Sequence, residues 1–173
     1  LFFNDMKIAP ETMLGEITDG LKIFLKTLIS GRISIGALAV GTALGAYKKA
    51  LQYATEREAF GKSIYKFQSI GFKLADMATE IEAAKLMVYH AAWLKDQGED
   101  FTKQAAMAKL FASEVAMKST IEAIQVFGGY GYVKENDVER FFRDAKILEI
   151  GEGTSEIQRL IISREIVKSV KKI

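Results

Sequence analysis

The sequence has no cysteine, one histidine, one proline and one tryptophan among its 173 residues. Without cysteine there is no disulfide framework, no thiolate nucleophile and no cysteine-ligated zinc. The lone histidine excludes two-histidine metal motifs such as H-E-x-x-H, so redox chemistry in this chain requires a borrowed cofactor and no metal is expected. Charge of one sign is also missing: 24 basic residues stand against 22 acidic ones, for a net charge of +2. With no basic block, the chain carries no electrostatic footprint for DNA or RNA. Charges interrupt each apolar stretch before the roughly 18 residues that a spanning helix needs, and no basic-then-apolar leader opens the chain. These absences predict a soluble, cytoplasmic protein with no membrane span. What is present, 49% hydrophobic against 27% charged residues, suits one globular domain with a real core.

The chain opens on Leu1 rather than methionine, directly into a loose alternation with Phe2, Met6 and Ile8 on one side and Asp5 and Lys7 on the other. Pro10 ends that run, so residues 1–9 read as one strand without a partner, and we expect a piece of a longer protein. Beyond Pro10 the pattern is helical throughout. Helices are predicted over 17–29 and, after a break at Ser30-Gly31, from Arg32 to about Glu58, with Gly36, Gly41 and Gly45 marking a close approach of another backbone. From Ser63 to about Gln97, Phe67, Ile70, Leu74, Met77, Ile81, Ala84, Val88 and Ala91 recur at steps of three and four, the seam of a bundle helix. Gly98 ends it. A third long helix over Thr102–Phe127 carries Ala105, Ala108, Ala112, Val115 and Ala116 on its narrow faces and stops at Gly128-Gly129. A shorter helix around Val138–Asp144 follows, and a last one starts at Thr154 or Ser155, either of which can cap it. The expected architecture is an all-α, four-helix up-and-down bundle, with functional sites in the interrupting loops.

Three loops depart from the helical pattern. In E-R-E-A-F-G-K, Glu56 to Lys62, the cations Arg57 and Lys62 flank Phe60-Gly61. They suit either a helix end, with glycine as the left-handed cap, or a phosphate gripped by a planar guanidinium beside an aromatic ring. In Q-V-F-G-G-Y-G-Y, Gln125 to Tyr132, the glycines follow a helix and not a strand, which rules out the dinucleotide fingerprint. They either end the helix or let backbone amides approach a phosphate-bearing ligand, with Gln125 adding an amide contact. In I-G-E-G-T-S-E-I-Q, Ile150 to Gln158, Glu152 lies between two glycines before a helix start, where a carboxylate serves the helix dipole or meets a small ligand. Elsewhere, His90 has no second histidine or orienting carboxylate and reads as a packed or surface residue. Trp93 and the regularly spaced Phe and Met residues read as core, and Lys168, Lys171 and Lys172 as a solvated helix end.

In this order and at these separations, E-R-E-A-F-G-K, Phe67-Gln68, Q-V-F-G-G-Y-G-Y, R-D-A-K at Arg143–Lys146 and E-G-T-S-E-I-Q-R resemble the C-terminal half of the acyl-CoA dehydrogenase family. The resemblance implies that residues 1–15 are the remnant, the last strand, of a middle β-domain and that 16–173 form the C-terminal bundle. It further implies an FAD-dependent oxidoreductase of fatty acid metabolism that converts an acyl-CoA thioester to the trans-2-enoyl-CoA. Glu152 would take the α-proton while the β-hydride leaves for flavin N5. The thioester oxygen would be polarised by the Glu152 backbone N–H and a ribityl hydroxyl. By the same resemblance Arg57, Phe67, Gln68, Gln125, Val126, Phe127, Gly128 and Gly129 contact the adenosine diphosphate part of an FAD held mainly by a neighbouring subunit. Thr154 and Glu156 contact the FAD of their own subunit. The expected assembly is a homotetramer, a dimer of dimers, that passes electrons to an electron-transfer flavoprotein. Arg32 matches the arginine that helps hold the CoA moiety, and Gly153 sits beside substrate. Some branches of the family carry the base on the helix instead, at positions that are Ser30 and Gly31 here, so Glu152 has no competitor. An aspartate common three residues before that arginine is Ile29, and the frequent tyrosine before the base is Gly151, which leaves more room at the reacting end. Two alternatives follow from the same residues: an acyl-CoA oxidase-like enzyme on this fold, or a non-catalytic helical oligomerisation module.

Overall fold

The computed structural model describes residues 1–170. Lys171 and Lys172, two of the three lysines assigned to a solvated helix end, lie outside the described residues; the third, Lys168, is paired with Glu165 on the last helix. Three long helices form the body: α1 (Gly20–Glu56), α2 (Gln68–Asp96) and α3 (Thr102–Phe127). A single-turn α4 (Gly129–Tyr132) leads to α5 (Val138–Ile150) and α6 (Ser155–Val170). α3 is the central element and packs on α1, α2, α5 and α6; α5 also touches α1 and so closes the fourth side of the bundle.

Small residues set the geometry of the core. Ala39, Ala43, Ala46, Ala50 and Ala54 form a fully buried stripe on α1, and Ala105, Ala108, Ala112 and Ala116 form its counterpart on α3. Stripes of this width let two helix backbones approach closely without loss of packing density. The α2 seam is buried as its spacing predicts, at Leu74, Met77, Ile81, Ala84, Val88 and Ala91. Of the three glycines expected to mark a close approach, two meet a neighbour: a Cβ on Gly36 would lie 3.0 Å from Val88 Cγ2, and one on Gly45 2.8 Å from the Phe141 ring. Gly41 meets nothing within 4 Å.

Several expectations are corrected. Residues 1–9 contain no strand and are exposed, because a strand is stable only when paired and nothing described pairs with these residues. The helices expected over 17–29 and 32–58 are one helix, α1, running through Ser30 and Gly31. Each of those residues lowers helix propensity by only about 0.5–1 kcal/mol, too little to break a helix anchored along its length by tertiary packing. α1 is also long and apolar enough to cross a membrane by length and composition, contrary to the expectation that charges break up every such stretch. Gly61 does not cap α1: Phe60 and Gly61, at φ +52° and +76°, form the turn of a small hairpin that pairs β1 (Glu58–Ala59) with β2 (Lys62–Ser63). Trp93 is 56% exposed rather than core, and the exposed His90 ring stacks on it at 6.4 Å.

Candidate active site

The residues singled out in the sequence gather at two ends of the bundle. Where α1 and α3 end, Arg57 follows α1 and its carbonyl accepts the Ile64 N–H at 2.9 Å, which ties the hairpin back to the helix. Its guanidinium lies over the Tyr130 ring, 5.8 Å from the centroid, and forms no ion pair among the described residues. Phe127 stacks on Tyr53 at 4.1 Å. Arg57, Val126, Phe127, Gly128 and Gly129 line one open hollow of about 530 Å³. A Cβ on Gly128 or Gly129 would meet nothing within 4 Å, so both backbones face free space. Phe67 is half-buried beside this end, edge-on to Phe60 at 6.2 Å with Lys62 Nζ 4.3 Å from its own ring centroid. Gln68, the first residue of α2, and Gln125 are exposed. A cation beside bare glycine backbone and aromatic rings fits the phosphate-bearing half of a nucleotide cofactor.

The other group centres on the turn between α5 and α6. Gly151 ends α5, and Glu152 and Gly153 then take left-handed backbone angles, φ +55° and +95°. Thr154 Oγ1 accepts the Ile157 N–H at 3.4 Å and caps α6, as expected. The Gly153 carbonyl accepts two buried donors, Lys109 Nζ at 2.9 Å and Gln158 Nε2 at 2.8 Å, and Gln158 Nε2 also reaches the Glu152 carbonyl at 3.3 Å. The turn aims the Glu152 carboxylate at α1, where a Cβ on Gly31 would lie 2.5 Å from Oε2 and 3.0 Å from Cδ.

This end holds an unusual share of unpaired polar groups. Five buried side-chain atoms among the described residues have no hydrogen-bond partner, and four of them belong to Arg32, Glu152, Ser155 and Gln158. Buried polar atoms are normally paired, so such a concentration marks a place prepared for a ligand. Burial pushes both the Arg32 guanidinium and the Lys109 ammonium below their ordinary pKa values, and the Glu152 charge draws each part of the way back. The exposed Glu156 carboxyl is held below the usual range by its own backbone N–H and by the Thr154 hydroxyl.

Thus the structure brings Arg32, Glu152, Gly153, Thr154 and Glu156 together at one end and Arg57, Phe67, Gln68 and Gln125–Gly129 at the other. Along α1 the two ends are separated by roughly 36 Å at about 1.5 Å per residue from Arg32 to Glu56. Sequence reasoning missed Lys109 and Gln158. Lys109 carried a signal, because with Ala105, Ala112 and Ala116 it stands at steps of four, three and four on the buried face of α3.

An all-helical domain whose interhelical turn presents a carboxylate between glycines is the arrangement that the sequence motifs led us to expect. Residues 18–167 match the acyl-CoA dehydrogenase C-terminal domain, and the chain belongs to the acyl-CoA dehydrogenase family. It is 56% identical over 168 residues to a probable acyl-CoA dehydrogenase, YngJ, of Bacillus subtilis, covering 97% of this chain and 44% of the relative. It is 46% identical over 168 residues to the caffeyl-CoA reductase-Etf complex subunit CarC of Acetobacterium woodii, again 97% of this chain and 44% of the relative. Among solved structures, butyryl-CoA dehydrogenase from Megasphaera elsdenii superposes with a TM-score of 0.93 at 50% identity, over 95% of this chain and 43% of that one. The chain therefore spans less than half the length of these relatives.

Proposed function

We propose that this chain supplies the C-terminal half of an FAD-dependent acyl-CoA dehydrogenase in which Glu152 is the catalytic base. The observation that carries this reading is the Glu152 carboxylate itself, held by a left-handed turn, pressed on Gly31, with a buried oxygen that has no partner among the described residues. A carboxylate kept in that state is free to accept a proton from a bound ligand.

On this reading Glu152 Oε2 accepts the α-proton of an acyl-CoA thioester, and an apolar acyl chain that displaces water from the site strengthens it as a base. The Glu152 backbone N–H, which donates to no acceptor among the described residues, turns to the thioester oxygen and stabilises its developing negative charge. Arg32, buried beside Glu152 with an unpaired Nε, orients the CoA portion. FAD, when bound, supplies the acceptor for the hydride that leaves the β-carbon, so the product is the trans-2-enoyl-CoA. Thr154 and Glu156 hold that FAD within the subunit, while Arg57, Phe67, Gln68 and Gln125–Gly129 grip the adenosine diphosphate part of a neighbour's FAD. The separation of the two groups of residues along the bundle supports this division. The likeness to a butyryl-CoA dehydrogenase favours a short acyl chain, and the relative named for its Etf complex favours an electron-transfer flavoprotein as acceptor.

The test is Glu152→Gln in the full-length enzyme, which keeps side-chain shape and the backbone N–H but removes the proton acceptor. Butyryl-CoA should still bind, while flavin reduction followed by stopped-flow absorbance slows by about 10²-fold to 10⁴-fold, the range for loss of a general base. Reduction within a few-fold of wild type would show that another group removes the proton.

A further inference from the structure

We propose that Lys109 is a positioning residue for Glu152: from the buried face of α3 its ammonium, together with Gln158, clamps the Gly153 carbonyl and holds the Glu152–Gly153 turn against Gly31. The inference rests on the reading of Glu152 as the base, and adds to it the group that aims the base.

Lys109 has no solvent exposure, and lysine is almost never fully buried without a reason, because removing an ammonium from water is expensive. An uncharged methionine would fill nearly the same volume between the alanines of α3 without that penalty. What the lysine provides is a long, rigidly packed donor that spans from α3 to the α5–α6 turn. Its Nζ reaches the Gly153 carbonyl at 2.9 Å, and Gln158 Nε2, from α6, reaches the same oxygen at 2.8 Å. A carbonyl has two lone pairs, and here both are engaged by donors from two different helices. This double anchor sits at the residue that needs one: Glu152 and Gly153 are consecutive left-handed residues, and such backbone persists only where its surroundings over-determine it.

The ammonium acts on Glu152 through its charge as well as through the clamp. The charged groups facing the pair are Arg32 on α1, Glu149 on α5, Glu152 in the turn and Glu156 on α6. Arg32 and Lys109 are the two cations of this set and both are buried. Removing the Lys109 charge leaves Arg32 alone against Glu149, Glu152 and Glu156.

The experiment uses the full-length FAD-loaded enzyme with butyryl-CoA and compares Lys109→Met with Lys109→Gln. For Lys109→Met the maximal rate of flavin reduction should fall about 10-fold to 100-fold with little change in the substrate concentration at half-maximal rate. Lys109→Gln keeps donors but not charge, so it should recover much of the rate. A Lys109→Met enzyme with the wild-type rate overturns the proposal. So does a loss that is equal in both variants and tracks lowered thermal stability, which marks a packing role only. If Lys109→Met does not fold, Lys109→Gln decides alone, and a change that falls on the half-maximal substrate concentration rather than on the maximal rate counts against the proposal. Glu152→Gln separates the two readings. If that variant reduces flavin at a wild-type rate, the base assignment has failed; if it is slow but Lys109→Met is not, only the present inference has.

Discussion

Gly31 and Glu152 are in direct apposition: a Cβ placed on Gly31 would lie within 2.5 Å of Glu152 Oε2 and 3.0 Å of its Cδ. A glycine in the middle of a long helix normally costs stability, and here the carboxylate fills the space that its missing side chain leaves. A side chain growing from residue 31 would enter the volume now held by the Glu152 carboxylate.

Gly31→Ala therefore sets two effects against each other. Alanine favours the helix by about 1 kcal/mol over glycine, but its methyl group must push the carboxylate aside. Because the displaced group is the end of a flexible side chain, we expect an unchanged or higher thermal midpoint together with flavin reduction slowed about 10-fold or more. In a Glu152→Ala background the obstacle is gone, and the stabilisation from Gly31→Ala should be larger than in wild type. Differential scanning calorimetry and stopped-flow absorbance read the two effects separately, and a destabilised Gly31→Ala with full activity would contradict the contact.

Gly153→Ala tests the turn. At φ +95° any side chain is strained, and its Cβ would meet Gln158 Nε2 at 2.9 Å and Ile157 Cγ2 at 3.3 Å. The substitution should destabilise the protein by about 1–3 kcal/mol. Gly151→Ala, at φ −66°, is the control and should cost far less. Equal chemical denaturation midpoints for the two variants would argue against a strained turn.

How much of this was readable beforehand differs from element to element. α3 was read to the residue because Gly98 and Gly128 punctuate it and alanines mark its seam. α1 was split at Ser30-Gly31 because local propensity suggests a break there, whereas the tertiary contact with Glu152 removes it. The strand over residues 1–9 failed for the opposite reason: alternation was present, but pairing is a property of two segments and none of the described residues supplies the second. Trp93 followed the helical spacing but lies on the outer face of α2. The loop motifs picked out residues that the structure gathers at two ends of the bundle, while Lys109 stayed hidden because a charged residue in a helix is ordinarily read as solvated.

Lys109 also links stability to pH. Its folded-state pKa lies below the ordinary value, chiefly through burial, whereas the unfolded chain titrates near about 10.4. Between those two points the unfolded state binds more protons, so wild-type stability gains relative to a variant without the group as pH rises. At neutral pH Lys109→Met should equal or exceed wild type in thermal midpoint, since a buried ammonium is replaced by an apolar group while Gln158 still holds the Gly153 carbonyl. As pH is raised toward 10 the difference should move in favour of wild type. Midpoints measured by circular dichroism at a series of pH values check the sign, and a gap that is constant with pH would show that Lys109 does not titrate differently in the folded state.

The separation of Arg57 from Glu152 leads to a prediction about sharing of the cofactor between subunits. Roughly 36 Å of α1 lie between the Glu152 end and the Arg57 end, at about 1.5 Å per helical residue. If each FAD is held by Glu156 and Thr154 of one subunit and by Arg57 of its neighbour, every site draws on two chains. Arg57→Glu then damages the neighbour's site, while Glu152→Gln damages a subunit's own. In a mixed dimer of the two variants, one site combines both defects and the other has neither. Full-length Arg57→Glu and Glu152→Gln enzymes, each nearly inactive alone, should therefore regain activity when co-expressed with different affinity tags and isolated as the mixed species. The expected recovery is up to about half of wild type per dimer. Were both groups of residues to serve one cofactor within one chain, each subunit of the mixed species would carry one defect, and no activity would return.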